Sequence, residues 1–306
     1  KLHRRKPFSA VWAIMASFGG FAAERFKEKS ELPYLLTLQE GDPLEEILAK
    51  VKKARNRFNK IFTTADGLQT ISNYLFNWGR QMGFRGKIAE VVPNGVNISL
   101  FAKEYPAAEI NNIRKSFGFP ANAKIIITVS RLVIKNGLAD VIKALALLPR
   151  EYCFYICGSG PLEAELKALT VKLNLNSRVN FVGHKAHSEL PKLLKASDIF
   201  IRPSITEGLG NAFLEAMAAE LAIVGTGTGG SSEILKDAET GLIFRPGDAQ
   251  ACADKVMFLL NTPEEYNRIR QTARRVVESA FALSRTIDVI EGELTACVSA
   301  WKGREK

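Results

Sequence analysis

The amino-acid sequence predicts an α/β protein built on parallel sheets. Short apolar segments that suit strands alternate with helical patterns along the chain, as expected when each strand is followed by a helix. Most strand segments lack strict alternation of apolar and polar residues, which is typical of sheets covered by helices on both faces. With 306 residues, the chain is long enough for two domains, each with its own core.

Ten segments are predicted as strands. They are residues 9–16, 34–38, 60–64, 88–92, 124–130, 153–157, 179–182, 198–203, 221–225 and 241–244. Helical patterns lie between them, for example over 161–173, 188–196 and 249–260, and a final helix is predicted over 283–301. The turn-rich segment Pro93–Asn97 follows a strand and is the strongest candidate for a domain boundary.

Composition is that of an ordinary globular protein, with 46% hydrophobic and 24% charged residues. No segment approaches the roughly 18 apolar residues of a membrane-spanning helix. None of the four cysteines has the spacing of a zinc or redox motif, so we expect buried free thiols in a reducing cytoplasm. These cysteines are Cys153, Cys157, Cys252 and Cys297.

The net charge of +10 is partly concentrated in Lys50–Lys60, which holds six cations and no acid. Ile47, Val51, Ala54 and Phe58 recur at helical spacing there, which predicts a basic amphipathic helix. One interpretation is contact with anionic lipid. The other interpretation is a helix whose apolar stripe packs on the protein while its basic face lies in solvent. Nucleic-acid binding is not expected, because no aromatic residues alternate with the cations.

Two glutamates, Glu207 and Glu215, flank a glycine-containing turn that opens a helix after the strand at 198–203. A strand, a loop and a helix N-terminus together make a site that can receive an anion. Helical side chains lean toward the helix N-terminus, so we expect Glu215 to point back at the loop that carries Glu207.

Two cations, Arg131 and Lys135, follow the strand that ends at Ser130. Cations in such a loop could stabilise negative charge on a phosphate-bearing ligand. Arginine clamps phosphate oxygens in a fork, whereas lysine supplies a point charge. The next strand closes on Gly158-Ser-Gly160, where the backbone can approach a ligand closely.

Three other motifs are incomplete. The turn at Gly158 lacks the third glycine of a dinucleotide fingerprint, where Glu163 stands, and the glycine-rich segment 225–233 has Ser231 where a phosphate loop needs lysine. His184 and His187 have no cysteine or carboxylate pair beside them, and the chain contains no Asp-x-Asp. We therefore expect no metal site and no cofactor.

The paired glutamates, the Arg–Lys loop, the Gly-Ser-Gly-Pro turn and Pro93–Asn97 together resemble family 4 glycosyltransferases. The resemblance covers the whole chain, is strongest over 93–248, and implies the GT-B fold: two Rossmann-like domains facing across a cleft. We expect an N-terminal acceptor-side domain over 1–97, a nucleotide-sugar-binding domain over 98–282, and a helix over 283–306 that packs back on the first domain. The family's first strand and glycine-rich turn would precede Lys1, so the N-terminal domain is expected to be incomplete.

The resemblance also implies roles for individual residues. Arg131 and Lys135 would face the donor phosphates, although Lys135 stands one position before the family's commonest lysine, where this chain has Asn136. Glu207 would lie by the donor sugar and Glu215 would bind the ribose hydroxyls. The remaining donor-binding residues would be Gly158, Gly160, Val182, Gly183, Gly208, Leu209, Gly210 and Asn211.

The residues that would contact the acceptor are predicted from their position in the chain alone. Gln39 and Asp42 follow a strand where many relatives carry a histidine, and Glu40 stands between them. Gln39 cannot act as a general base, while Asp42 or Glu40 could contact an acceptor. Gly19 and Gly20 form a turn that either lines the same cleft or simply connects a strand to a helix.

The resemblance implies transfer of a sugar from a nucleotide-sugar donor to a glycan, lipid or small-molecule acceptor, with retention at the anomeric carbon and without metal. Two alternatives remain open: a nucleotide-sugar 2-epimerase on the same scaffold, and a non-catalytic nucleotide-sugar-binding fragment. The expected location is the cytoplasm, with peripheral contact at the inner face of the membrane if the basic helix binds anionic lipid.

Overall fold

A computed structural model describes residues 7–303 of the chain. Its internal contacts divide the chain into two units. The first unit runs to Asn94 and includes Glu207–Leu209 and the chain from Leu283. The second unit consists of Gly95–Thr206 and Gly210–Ala282. The sequence predicted divisions after residues 97 and 282.

The first unit contains a sheet of four parallel strands in the order β1-β2-β3-β4. These are β1 (Val11–Ile14), β2 (Tyr34–Leu38), β3 (Gly67–Thr70) and β4 (Ile88–Val91). All residues of β2 and β3 are buried. Because each strand lies beside the next strand along the chain, the loops that follow their carboxyl ends gather at one edge of the sheet.

Helices connect and cover these strands. They are α1 (Gly20–Ser30), α2 (Leu44–Lys50), α3 (Arg55–Thr63), α4 (Asn73–Gln81) and the C-terminal helix of the chain, Leu283–Lys302. The C-terminal helix packs on β2, β3 and β4. A Cβ at Gly67 would lie 2.6 Å from the Cys297 Sγ, so this helix approaches the β3 backbone where only glycine leaves room.

The strand predicted over 60–64 is wrong, because these residues end helix α3 and the strand lies at β3 instead. Phe58, Ile61 and Phe62 are fully buried on α3 at helical spacing. The short apolar pair at 61–62 therefore belongs to a helix face, and the pattern alone could not separate it from a strand. The basic helix predicted from residue 47 onward is also interrupted, by a 3-10 turn at Lys52–Ala54.

The second unit contains six parallel strands in the order β10-β9-β8-β5-β6-β7. They are β5 (Lys124–Val129), β6 (Tyr152–Cys157), β7 (Val179–Phe181), β8 (Ile199–Arg202), β9 (Ala222–Gly225) and β10 (Leu242–Ile243). Strand β5 pairs with β6 on one side and β8 on the other. The chain thus winds in opposite directions from β5, which makes the edge beyond β5 and β8 the topological switch point of this sheet.

The second unit also contains helices, most of which bury apolar residues. They are α5 (Ile98–Phe101), α6 (Ala107–Ser116), α7 (Leu138–Leu147), α8 (Glu163–Lys172), α9 (Leu190–Lys195), α10 (Asn211–Ala218), α11 (Ala249–Asn261) and α12 (Pro263–Ala280), and the C-terminal helix is then α13. Ile126, Phe154 and Val224 belong to one buried cluster with α7 and α11. Continuous burial of the central strands explains why their sequences lack alternation.

Candidate functional site

Several predicted site residues stand in loops at the carboxyl edge of the six-stranded sheet. The loop after β5 carries Arg131 and Lys135, and it meets the loop after β8 directly. The N–H of Ile205 donates to the Lys135 carbonyl at 2.7 Å. Loops at the switch point of a parallel sheet are where such folds bind ligands, so the two loops form the core of the candidate site.

Asn136 holds the cationic loop in shape. Its side chain is 2% exposed, and its Nδ2 donates to the Arg131 carbonyl at 2.7 Å. Arg131 itself is exposed, and Lys135 is half-buried. The residue that stands at the family's usual lysine position is therefore buried and structural in this chain. Lys135, one position earlier, is half-buried in the same loop.

The glycine turn after β6 packs on the loop that holds Arg131. Gly158 has φ +145°, and a Cβ there would lie 1.8 Å from the Ser130 carbonyl oxygen. Any other residue would clash with that backbone in a conformation that L side chains rarely adopt. The Leu132 N–H donates to the Ser159 carbonyl at 2.9 Å, beside Gly160. The two loops are therefore fixed to each other.

The loop after β7 joins the same group. The Gly158 N–H donates to the Gly183 carbonyl at 2.8 Å, and the Val182 N–H donates to the Ile156 carbonyl at 3.1 Å. The predicted donor-binding residues Gly158, Val182 and Gly183 are thus adjacent in space.

A cavity of about 350 Å³ lies among these loops, inside the second unit. Arg131, predicted from the sequence, lines it together with three residues that were not predicted as site residues: His184, Lys185 and His187. Its lining therefore carries positive charge, which suits an anionic ligand. Cys157 also lines the cavity, but burial raises the pKa of its thiol to about 12, so it is not a ready nucleophile.

Glu215 stands on α10 and is connected to this cavity through a histidine. The His187 Nε2 donates to the Glu215 Oε1 at 3.0 Å, and the His187 ring packs edge-on against Phe101 with centroids 5.2 Å apart. The Glu215 side chain is only 15% exposed. Burial raises the pKa of its carboxyl above the ordinary value, while His187 and Arg202 act to lower it.

The loop between β8 and α10 carries the other predicted donor residues. Glu207 and Leu209 are buried, and contacts assign Glu207–Leu209 to the first unit. A Cβ at Gly208 would lie 2.3 Å from the Glu40 carbonyl oxygen, so this loop touches the backbone after β2. Gly210 caps α10, and Asn211 is exposed at its first position.

The predicted acceptor-side residues lie at the carboxyl ends of β1 and β2. Gly19 ends a π-helical turn after β1, and Gly20 begins α1. The Gln39 Nε2 donates to the Asn94 Oδ1 at 3.4 Å, and the Asp42 carboxylate lies 3.9 Å from the Lys50 Nζ. These residues share one edge of the four-stranded sheet.

Glu40 is the unusual residue of that edge. It is 2% exposed, its Oε1 accepts from the Ala16 N–H at 2.6 Å, and its Oε2 has no hydrogen-bond partner. Burial raises the pKa of this carboxyl to about 7. From the sequence, Glu40 was predicted only as an alternative to Asp42. A buried, incompletely paired carboxyl beside Gly208 could hold or release a proton near neutral pH.

The part of the chain that the structure describes lacks two features. Over residues 7–303, no group of three or more histidine, cysteine or carboxylate side chains is arranged to hold a metal ion. Within the same range, no helix has the length and apolar character needed to cross a membrane.

Comparison with known proteins gives a family match. Residues 109–276 match the family model described as glycosyl transferases group 1. An amylovoran biosynthesis glycosyltransferase of Erwinia amylovora is 33% identical over 290 residues, which cover 90% of this chain and 68% of that protein. A 2-deoxystreptamine glucosyltransferase of Streptomyces kanamyceticus is 28% identical over 187 residues, 60% of this chain and 48% of that one. The chain spans about half the length of several such relatives.

Solved structures match over nearly all of the chain. Anabaena HepE, solved with UDP and glucose, has a TM-score of 0.86 at 22% identity and is matched over 96% of this chain and 80% of its own. The sucrose-phosphate synthase of Thermosynechococcus elongatus has a TM-score of 0.85 at 23% identity, over 98% and 76%. These likenesses confirm the predicted α/β class and the GT-B fold with two parallel-sheet, Rossmann-like units.

Proposed function

Because the chain belongs to the group 1 glycosyl transferases, we propose that it transfers a sugar from a nucleotide-sugar donor to an acceptor hydroxyl. The main support is one cluster in the second unit: Arg131, the Gly158 turn and His187, which is hydrogen-bonded to Glu215, meet around one cavity. In this cluster, Arg131 can bind a phosphate, the backbone of the Gly158 turn can approach a nucleotide closely, and the Glu215 carboxylate can accept hydrogen bonds from a ribose.

In the proposed reaction, the bond between the sugar and the diphosphate breaks, the acceptor oxygen bonds to the anomeric carbon, and the acceptor proton passes to an oxygen of the leaving diphosphate. Arg131 and Lys135 stabilise the charge that develops on the leaving diphosphate. Glu215 accepts hydrogen bonds from the ribose hydroxyls, and Glu207 lies by the sugar. The backbone of Gly208–Asn211 completes the sugar and phosphate contacts.

We assign the chain to the retaining, metal-independent family 4 type. The support is the two-glutamate motif with its Arg–Lys loop, since these cations take the role that a divalent metal has in Asp-x-Asp enzymes. We do not assign the nucleotide base of the donor. HepE was solved with UDP-glucose, whereas one relative in Corynebacterium glutamicum is named as GDP-mannose-dependent.

The acceptor is a glycan, a lipid or a small molecule, and we place its contacts on the first unit. Gly19, Gly20, Gln39 and Asp42 stand at the carboxyl edge of the four-stranded sheet. Glu40 joins this set because its raised pKa suits it to exchange a proton there. The cytoplasm is the proposed compartment, which suits four buried free cysteines.

A product assay tests the proposal. The purified chain is incubated with UDP-glucose and with GDP-mannose, with and without an extract of lipid-linked and soluble glycans, and the products are followed by mass spectrometry. Transfer predicts a glycosylated product and free nucleoside diphosphate that both depend on the acceptor and are lost in the Arg131→Ala variant. Donor conversion without acceptor would point to an epimerase. Tight donor binding with no turnover would point to a binding module.

Peripheral contact with anionic membrane is a further part of the proposal, supported by the cations around α3. Three of them pair with acids of the same unit: Lys50 with Asp42, Arg57 with Glu24, and Lys60 with Glu28. Lys52, Lys53 and Arg55 are exposed around the interruption before α3. Each cation near an anionic surface contributes about 1 kcal/mol.

Sedimentation with vesicles tests this contact. Binding to phosphatidylserine-containing vesicles should fall when Lys52, Lys53 and Arg55 are all changed to Gln. A control variant makes the same charge change at Lys115, Lys143 and Lys172, which are exposed in the second unit. Equal loss in both variants would show a non-specific charge effect and contradict a basic contact surface on the first unit.

A further inference from the structure

We propose that His187 is a positioning residue that fixes the Glu215 carboxylate in the orientation that receives a ribose diol. This inference rests on the proposed function, because it requires Glu215 to be the ribose contact. Three observations carry it: the hydrogen bond to Glu215, the packing of the His187 ring against an aromatic side chain, and the place of that ring beside Arg131 in the cavity.

The hydrogen bond has the geometry of a specific contact. The His187 Nε2 lies 3.0 Å from the Glu215 Oε1, and the acceptor is a carboxylate, so the imidazole is the donor. The bond occupies Oε1 and leaves Oε2 as a separate acceptor. A glutamate has three side-chain torsions, and a fixed carboxylate loses less conformational entropy when a ligand binds.

The ring is itself held in place. Phe101 on α5 is fully buried and packs edge-on against the His187 ring, with centroids 5.2 Å apart. The ring therefore lies between a rigid aromatic side chain and the Glu215 carboxylate. Yet the His187 side chain is 61% exposed and lines the cavity beside Arg131. An exposed ring with this support is arranged to act on its neighbour rather than to fill a core.

The charges around Glu215 agree with this role. Burial raises the pKa of the Glu215 carboxyl, which favours its neutral form, and the hydrogen bond from His187 opposes that effect. Arg202 at the end of β8 also lowers this pKa. Lys185 and Arg131 line the same cavity, and Glu189 stands on the His187 loop. His187 thus opposes the protonation of Glu215 as well as orienting its carboxyl group.

Titration calorimetry with nucleoside diphosphates tests the inference. UDP and GDP are measured first, and the one that binds is compared with its 2′,3′-dideoxy analogue. His187→Ala should weaken binding of the ribonucleotide about five- to tenfold, less than for loss of a charge-assisted hydrogen bond, because the Glu215 carboxylate keeps its own bonds to the ribose. Its affinity for the dideoxy analogue should not change. His187→Gln, whose amide can still donate, should restore most of the ribonucleotide affinity.

A double-mutant cycle separates positioning from general damage to the fold. His187→Ala combined with Glu215→Ala should bind no worse than Glu215→Ala alone, because both changes remove the same contact. His184→Ala, which removes the same ring type from the same cavity, should add to Glu215→Ala without coupling. Melting temperatures measured in parallel identify any variant that has lost its fold.

The pH profile gives a readout that a purely structural role would not change. In the wild type, ribonucleotide affinity should fall at acidic pH as Glu215 becomes protonated. In His187→Ala this fall should occur at higher pH, because the hydrogen bond that lowers the Glu215 pKa is gone. If Glu215→Ala weakens binding but His187→Ala changes neither affinity nor profile, the positioning role is wrong. If Glu215→Ala itself has no effect, the ribose site of the proposed function is wrong.

Discussion

Replacement of Glu40 by Gln should stabilise the protein and remove part of its pH dependence. Glu40 is 2% exposed, one of its oxygens has no hydrogen-bond partner, and burial raises its pKa from 4.5 to about 7. Its Oε1 accepts from the Ala16 N–H, and a Gln oxygen can accept the same bond. The substitution therefore removes a buried charge while it keeps the hydrogen bond from Ala16.

The magnitude follows from the raised pKa. A carboxyl that prefers its neutral form when folded costs nothing below the unfolded-state pKa, and its cost grows as pH rises toward the folded-state value. Each pKa unit corresponds to about 1.4 kcal/mol. A rise from 4.5 to about 7 therefore gives a cost that reaches about 3 kcal/mol above pH 7, and that is absent below about pH 4.

Urea unfolding of both proteins at pH 4, 6 and 8 measures this effect. The gain in unfolding free energy from Glu40→Gln should be small at pH 4 and approach about 3 kcal/mol at pH 8. Glu46→Gln is the matched control, because Glu46 is exposed on the nearby helix α2. If the gain in unfolding free energy does not grow with pH, or equals that of Glu46→Gln, the buried Glu40 charge does not destabilise the protein.

Three further predictions concern the site. Gly158→Ala should lower the unfolding free energy by more than about 2 kcal/mol, because its Cβ would strike the Ser130 carbonyl. Gly118→Ala, at φ +76° with open space around it, should cost only about 1 kcal/mol in the same melts. Asn136→Ala removes the donor to the Arg131 carbonyl, so calorimetry should find nucleotide affinity several-fold lower, and unchanged affinity would show that this bond is dispensable. Sugar transfer should persist in excess EDTA, and restoration of lost activity by manganese or magnesium would contradict a metal-independent reaction.

The sequence predicted those elements whose burial leaves a direct pattern. The strand over 34–38 was predicted with its observed bounds because all five residues are buried. The segment over 60–64 was predicted wrongly because a buried helix face and a short buried strand share the same apolar residues. Burial against neighbouring elements, which the local sequence does not encode, decides between them.

The candidate site residues also divide into those that belong to a sequence motif and those that only the fold brings together. Arg131, Gly158 and Glu215 belong to motifs at fixed spacing, so their positions could be recognised from the chain alone. The contact between His187 and Glu215 joins residues 28 positions apart, on different elements of the sheet edge. From the sequence, His187 was a candidate only for metal binding, which the missing cysteine and carboxylate ligands argued against. A polar side chain in a loop that follows a parallel strand was the available signal, because such loops gather at one edge.

Asn136 gives a second example. It stands directly before Gly137, at the position where the family most often has lysine. The structure explains the exchange, since Asn136 is buried and donates to the Arg131 carbonyl. A buried amide that satisfies a backbone carbonyl can be identified only once the fold brings the two together.

We propose that the carboxyl edge of the six-stranded sheet binds the nucleotide-sugar donor. The most direct test is titration calorimetry of UDP and GDP, and of their sugar conjugates, against the wild type, Arg131→Ala, Lys135→Ala and Glu215→Ala. Arg131→Ala and Glu215→Ala should each weaken binding by roughly 1.5–3 kcal/mol, about ten- to hundredfold, with a smaller loss for Lys135→Ala. Unchanged affinity in both Arg131→Ala and Glu215→Ala would contradict the assignment of the site.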